Sequence, residues 1–310
     1  MEPSKKVSVV IPVYWNALSL PILFTELAET EKQLGAKGYE LELIFVDDGS
    51  GDDSMEQLLK IKKQRPATRV IKLSRNFGAV HASKTGLQFV TGDCFLILAA
   101  DLQDPPSLIL DMVASWEAGS KFVLCTRIAR TDPPVSRIFS AVYYKLLRFF
   151  VVPGYPRGGF DLALMDKVML PHLQTSSKNI NTPLFAYWLG FTPTIIHYER
   201  RERLHGKSRW SFAKKFKFFL DSFLGFSMVP IRAISLVGVI VSLLSFAYGT
   251  VILVNTLLGR GTVAGFPTIV ALLSFLLGLI IVMLGIIGEY LWRIFDETNR
   301  RPEAVIEEVY

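Results

Sequence analysis

Cysteine is nearly absent. Only Cys94 and Cys125 occur in 310 residues, each inside an apolar run. Two such thiols exclude a disulfide framework and a cysteine-built zinc site, and they suit a reducing compartment. Two nucleotide-binding signatures are missing as well: there is no G-x-G-x-x-G and no G-x-x-x-x-G-K-[ST]. Their absence argues against a dinucleotide dehydrogenase and a P-loop NTPase. MEPSKK at the start is not followed by the apolar h-region of a secretory signal, so no cleaved signal is expected. Charge is missing from one whole region: Arg260 is the only charged residue between Ala233 and Gly288.

What is present divides the chain in two. Residues 1–228 have the mixed texture of a globular domain. Short β-rich runs occur at Val7–Val13, Leu41–Val46, Arg69–Leu73, Asp93–Leu98 and Lys121–Cys125. Helix-length segments separate them at Ala17–Leu34, Ser54–Gln64, Ala79–Val90 and Pro106–Ala118. Alternating strands and helices predict an α/β domain with a parallel sheet, and continuously apolar strands predict a sheet covered on both faces. Ligands of such sheets bind beyond the carboxyl ends of the strands. The residues at those ends are Pro12 and Tyr14, Asp47 and Asp48, Arg75 and Asn76, Asp101 to Asp104, and Arg127.

In the second part, Phe212, Phe216, Phe219, Phe223 and Phe226 recur at helical spacing, with Lys214, Lys217 and Asp221 off that stripe. This pattern, directly before an apolar region, predicts a helix lying in a membrane interface. Ala233–Gly259 as a helix would span roughly 40 Å, more than the ~30 Å hydrocarbon core. Gly261–Gly288 is a second stretch of this kind, and Gly259-Arg260-Gly261 is a short connection, so a two-helix transmembrane hairpin is expected. Lys214, Lys215, Lys217 and Arg232 precede it, and Arg293, Arg300 and Arg301 follow it. This bias puts the large domain and the C-terminal tail in the cytoplasm. The expected divisions are a catalytic domain over 1–207, interface helices over 208–230, two transmembrane helices over 231–292 and a cytoplasmic tail over 293–310. Gly238, Gly249, Gly278, Gly285 and Gly288 suit close helix packing, within one hairpin or in a homo-oligomer. The net charge of +6 is modest. Its basic residues gather beside the apolar region and no recognition motif accompanies them, so nucleic acid is not an expected partner.

The loops carry the chemistry. VVIPVY at Val9–Tyr14, DDGS at Asp47–Ser50, SRNFG at Ser74–Gly78 and ADLQDPP at Ala100–Pro106 follow in this order. Together they resemble the inverting family 2 glycosyltransferases with a GT-A fold, and within them the branch of dolichol-phosphate mannose synthase and the bacterial polyprenyl-phosphate (bactoprenol) glucosyltransferases. The resemblance covers roughly residues 7–210. It implies a GT-A, Rossmann-like nucleotide-diphospho-sugar transferase domain, followed by the interface helices and hairpin. It also implies transfer of a sugar from a nucleotide diphosphate sugar to a polyprenyl phosphate at the cytoplasmic membrane face. The hairpin points to UDP-glucose and undecaprenyl phosphate. GDP-mannose as donor, and a catalytically degenerate scaffold that binds nucleotide sugar or lipid phosphate, are the alternatives.

Carried onto this chain, the resemblance gives donor binding to Pro12, Tyr14, Asp47, Asp48, Arg75, Asp101 and Gln103. Asp101 and Gln103 would hold Mg2+ or Mn2+. Asp161, within GGFDLALMD, and Asp101 would be catalytic. Acceptor and diphosphate contacts would come from Arg127, Arg130, Arg200, Arg203, Ser208 and Arg209, four of which fit an R-x-x-R-x-x-G-x-S-[KR] pattern with Gly206. The chain departs from the family where D-A-D-L-Q becomes Ala99-Ala100-Asp101-Leu102-Gln103, and where Trp15-Asn16 follows Tyr14 in place of Asn-Glu. Asp104 is either a substitute metal ligand or a cap of the helix after it. Asp161 has, besides catalysis, a structural reading as the partner of a basic residue such as Arg157.

Overall fold

The computed structural model describes residues 4–128, 134–178, 180–202, 212–258 and 265–310. They form two compact units, Met1–Ser222 with Pro302–Tyr310, and Phe223–Arg301. The strands are β1 (Lys5–Val13), β2 (Tyr39–Asp47), β3 (Arg69–Leu73), β4 (Cys94–Ile97), β5 (Phe122–Arg127), β6 (Leu162–Asp166), β7 (Thr194–Tyr198) and β8 (Ile306–Val309). They make one sheet in the order β7-β5-β6-β4-β1-β2-β3-β8. β6 runs antiparallel to β4 and β5, β8 runs antiparallel to β3, and the other pairings are parallel.

Alternate residues of each strand enter different cores, as the two-residue period of a strand requires. Val7, Val9, Ile11 and Val13 join Leu41, Leu43 and Phe45 on one face. There they meet α1 (Leu20–Gly35), α2 (Ser54–Gln64) and α4 (Leu108–Glu117) through Leu23, Leu27, Leu58, Ile109 and Met112. Val10, Ile44 and Val46 face the other way. They pack on α3 (Ala79–Leu87), α6 (Leu170–Gln174) and α7 (Thr182–Trp188) through Ala82, Leu87, Leu173 and Ala186. Gly86 sets how close α3 lies: a Cβ there would stand 2.3 Å from Val10 Cγ1 and 3.0 Å from Val46 Cγ2. The sheet is thus covered on both faces, as its apolar strands predict.

The less regular stretch after Arg127 holds α5 (Pro134–Phe150), then β6 and β7. In α8 (Phe212–Phe226), Phe218 and Phe219 pack against Tyr143 of α5, and Ser222 meets the Tyr143 hydroxyl at 2.9 Å and accepts from Asn181 Nδ2 at 2.9 Å.

The second unit contains α9 (Val229–Leu257) and α10 (Phe266–Thr298), which contact each other. Gly238 sits under Met283. Both helices are long and apolar enough to cross a membrane, over Val229–Ile252 and Phe275–Thr298. Their apolar side chains point outward: Phe246 is 78% exposed and Phe275 65%. The connection around Arg260 lies outside the described residues. The stretch 293–310, expected as a tail, carries the last turns of α10 and then β8, which returns to the sheet of the first unit.

Candidate active site

One edge of the sheet collects the chemistry. β1 to β5 and β7 all point their carboxyl ends to that edge, and the antiparallel β6 begins there, with Asp161 N–H donating to the Cys125 carbonyl at 3.0 Å. Every strand-end residue singled out from the sequence therefore shares an edge with the others.

The first cluster surrounds Asp47, at the end of β2 and paired in register with Val13. Its carboxylate is 1% exposed; Oδ2 accepts from Ser50 N–H at 3.3 Å, and Oδ1 is buried without a hydrogen-bond partner. Burial raises the Asp47 pKa, opposed by the hydrogen bonds from Ser50. Asp48 differs. Its two oxygens accept from Phe77 N–H (2.7 Å) and Gly78 N–H (2.9 Å), the amides that open α3. Burial raises its pKa too, against the pull of those amides. Asp48 thus ties the DDGS loop to the SRNFG loop, while Asp47 keeps one oxygen open. The two loops touch closely. Gly49 has φ +66°, and a Cβ there would fall 2.6 Å from the Arg75 carbonyl carbon. Arg75 itself is exposed, its guanidinium 4.1 Å from the centre of the Phe77 ring. Asp52, one of two candidate caps of α2, accepts from Ser54 N–H at 3.2 Å; Asp53 makes no side-chain cap.

Tyr14 and Trp15 stand edge to face, with ring centres 6.3 Å apart. Pro12, two residues earlier, is paired with Val46 in β2. Trp15 N–H donates to Ser50 Oγ at 3.1 Å. Asn16, which departs from the family pattern, has a clear structural task. Its Oδ1 accepts from Tyr14 N–H (3.0 Å), its N–H donates to Ser54 Oγ (2.8 Å) and its Nδ2 donates to the Ala100 carbonyl (3.4 Å). Ser19 Oγ donates to the same carbonyl at 2.6 Å. The β1 loop is thereby fastened to the β4 loop. An Asn just past a strand end was the only sequence signal for this.

The second cluster is Asp101-Leu102-Gln103-Asp104. Leu102 is 1% exposed, lies in the core and has φ +62°. Its burial holds the turn on which Asp101 and Gln103 sit, and Asp101 Oδ1 accepts from Gln103 N–H at 3.3 Å. Asp104 does not cap α4; its carboxylate is engaged by Tyr198 and Arg200. It is 2% exposed, accepts from the Tyr198 hydroxyl, and lies 3.0 Å from Arg200 Nε. Burial raises its pKa, while Arg200 and Tyr198 pull it down. Among the described residues no three His, Cys, Asp or Glu side chains gather as a ready cation cage. The oxygen donors expected from the sequence to meet a metal are the Asp101 carboxylate and the Gln103 amide, two residues apart on this turn. That set fits Mg2+ or Mn2+ when phosphate oxygens and water complete the shell.

The third cluster centres on Asp161. Arg127 grips it with two hydrogen bonds, Nε to Oδ2 at 2.8 Å and Nη2 to Oδ1 at 2.5 Å, and Arg200 Nη1 lies 3.5 Å from Oδ1. The hydrogen bonds that Arg127 donates to Asp161 push the Arg127 pKa up. Arg200 therefore bridges Asp104 and Asp161, and a chain of alternating charge runs Arg127–Asp161–Arg200–Asp104. The structural partner of Asp161 is Arg127 with Arg200, not Arg157. Tyr198 and Asp104 complete this group, and neither was assigned such a part from the sequence. Of the remaining expected residues, Arg130, Arg203, Ser208 and Arg209 lie outside the described residues.

The chain is similar to several known proteins. Over 308 residues the chain is 31% identical to an uncharacterized glycosyltransferase of Synechocystis, covering 98% of this chain and 96% of that one. It is 30% identical over 304 residues to the bactoprenol glucosyl transferase of Shigella phage SfX, covering 97% and 99%. Among solved structures, a mannosyltransferase of Pyrobaculum calidifontis in complex with GDP-Man and Mn2+ aligns over 69% of this chain and 60% of its own, at 17% identity and TM-score 0.49. The profile of the family named "Glycosyl transferase family 2" matches residues 8–171, the stretch that carries most of β1 through β6, the loops with Asp47 and Asp101, and Arg127 and Asp161. By that match over more than half its length, the chain belongs to glycosyl transferase family 2, with a GT-A domain.

Proposed function

We propose that this glycosyltransferase moves glucose from UDP-glucose to a polyprenyl phosphate, undecaprenyl phosphate, at the cytoplasmic face of a membrane. The observation that carries the reading is the pairing, on one edge, of a buried open acceptor, Asp47 Oδ1, with the arginine-bearing group around Asp161. An acceptor with no partner in a dry pocket is costly unless a ligand donor meets it. The ring N–H of a uracil is such a donor. The guanidinium forks of Arg127 and Arg200 match phosphate oxygens. The name of the SfX relative supports glucose and a bactoprenol acceptor. The apolar surfaces of α9 and α10 support a membrane location, where that lipid resides.

The mechanism follows from the substrates. The bond from sugar C1 to the diphosphate breaks as an oxocarbenium-like centre forms, and negative charge grows on the departing diphosphate. A divalent cation at Asp101 and Gln103 would supply neutralising charge there. The acceptor is a phosphate monoester, whose second pKa of about 6 leaves it largely ionised near neutral pH. It needs little help from a base. Asp161, gripped by two guanidinium groups, acts in this reading by holding Arg127 and Arg200 in place for the acceptor phosphate. A single in-line displacement inverts C1 and turns an α-linked donor into a β-linked lipid phosphate sugar.

The test is a transfer assay with purified protein, undecaprenyl phosphate and radiolabelled UDP-glucose, with and without Mg2+ or Mn2+. Metal-dependent label in the lipid phase, lost in Asp101→Ala, is expected. Nucleotide-sugar binding without transfer from any common donor would favour the degenerate scaffold, for which Ala99 is the residue that speaks. Label from GDP-mannose alone would replace the donor.

A further inference from the structure

β8 reaches the sheet at the edge that carries the site. Leu73, the last residue of β3, pairs with Ile306, with a register shift between Lys72 and Leu73. Ser74, the first residue of SRNFG, donates its N–H to the Val305 carbonyl at 3.0 Å. The C-terminal segment thus accepts the backbone N–H that immediately precedes Arg75. Two residues before Val305, Glu303 meets α3. Its Oε1 lies 2.6 Å from Lys84 Nζ, and its Oε2 lies 3.7 Å from His81 Nδ1. The Lys84 side chain is only 5% exposed, and its other acceptors are the carbonyls of Ser176 (2.8 Å) and Ser177 (3.3 Å). Glu303 is therefore the carboxylate that balances a buried ammonium.

His81 and Lys84 are three residues apart, on one face of the helix that SRNFG opens. The start of that helix is held by Asp48. The SRNFG loop is consequently fastened from three directions: by Asp48, by the Val305 carbonyl, and by Glu303 through α3. Ser74, Arg75 and Asn76 are themselves exposed. Among the described residues Arg75 has no carboxylate partner, so its place depends on how the loop is held.

We propose that the segment Glu303–Val305 is a positioning element of the donor site, fixing the SRNFG loop so that Arg75 is presented to the diphosphate of a nucleoside diphosphate. The assignment rests on reading this edge as a nucleotide-sugar site. Glu303 acts through Lys84 and α3 and touches no substrate. The part of the chain that follows the apolar helices is, in this view, a working part of the donor pocket.

The test uses the full chain, purified in detergent, with Glu303→Ala, Glu303→Gln and the control Glu307→Ala. Glu307, on β8, pairs with Lys72 of β3 at 3.0 Å. UDP and GDP binding is measured by calorimetry, and donor and acceptor KM are measured in transfer. Glu303→Ala is expected to weaken nucleotide binding and raise donor KM about tenfold, the scale on which small misplacement of a binding group is felt. Acceptor KM and kcat stay within about twofold, and Glu307→Ala matches wild type. The proposal is overturned if Glu303→Ala lowers the unfolding temperature but binds nucleotide as wild type does, or if both variants weaken binding alike. If Glu303→Ala does not fold, Glu303→Gln, which keeps the shape and an acceptor for Lys84, makes the same comparison with a smaller loss. Wild type that binds GDP but not UDP, or transfers no glucose, refutes the UDP-glucose reading. The comparison of variants then still decides the tail's part, using whichever nucleotide binds.

Discussion

Asp48 has both oxygens filled by the amides of Phe77 and Gly78, while its neighbour Asp47 keeps Oδ1 open in a buried position. Removing charge from each should therefore have separable effects. Asp47→Asn is expected to weaken UDP binding by about 10- to 100-fold, since a hydrogen bond to a charged group contributes about 1.5–3 kcal/mol. Asp48→Asn should instead lower stability by about 1–2 kcal/mol, as loss of a helix-opening contact does. Calorimetry and denaturant unfolding of the two variants separate the roles, and equal loss of binding in both would remove the distinction. Sequence brought both aspartates to the right strand end, because an apolar run followed by DDGS marks it. Which of the two stays open was not legible, since Asp48's partners lie 29 and 30 residues further on. Trp15 and Leu102 show the same limit. Both are non-glycine residues in the left-handed region, at φ +60° and +62°, and both lie in site loops. Such strain costs on the order of 1–3 kcal/mol and persists only where surrounding contacts impose it. Asp161 was legible as a carboxylate of interest, but its grip by Arg127 and Arg200 was not. With Asp161→Asn the two guanidinium groups lose their shared anchor. Turnover is expected to fall about 100-fold, the scale of losing one preorganised charge contact, with UDP binding within about twofold. Wild-type turnover in that variant would dismiss the positioning role.

Elements built from local, periodic apolar residues were readable: β1 to β5 and the helices between them fall where the alternation of runs places them. β6, β7 and β8 were not. LALMD and TIIHY are short and follow an irregular stretch, and the pairing that makes them strands comes from β4 and β5, far away in sequence. β8 is harder still, since all four residues of IEEV are exposed and no apolar alternation marks it. A long-range ion pair, Glu303 with Lys84, stands just before it and has a pH signature. Burial pushes the Glu303 pKa up, but the contacts with His81 and Lys84 outweigh it, so the value lies below the ordinary 4.5. A carboxyl depressed in the folded state contributes stability above its unfolded pKa, and loses that contribution as pH falls through the folded value. The stability difference between wild type and Glu303→Gln should therefore be constant above about pH 4.5, on the order of 2 kcal/mol, and shrink below it. Unfolding curves across that range read it directly. A difference that grows on acidification would contradict the ion pair.

At the scale of the whole molecule, the chain leaves the first unit after Ser222 and rejoins it at Pro302. A segment whose two ends belong to one compact domain can cross a bilayer only an even number of times. α9 and α10, with 29 and 33 residues, would run about 43 and 50 Å at ~1.5 Å per residue, against a hydrocarbon core of ~30 Å. Glu289, Arg293, Asp296 and Glu297 crowd the last turns of α10. Two crossings would put the connection on the far side from the catalytic domain, the topology expected from the excess of Lys and Arg in the flanking sequence. The two native cysteines make this simple to check. Both are buried, and burial raises both thiol pKa values, that of Cys125 to about 12, so neither offers a reactive thiolate. In intact cells, a membrane-impermeant maleimide should label Arg260→Cys and leave Lys63→Cys, on the exposed side of α2, untouched. Both should react after the membrane is broken. Labelling of Lys63→Cys in intact cells would invert the topology. Failure of Arg260→Cys to react until lysis would leave both ends and the turn on one side, and α9 and α10 would then have to bury their apolar faces without spanning.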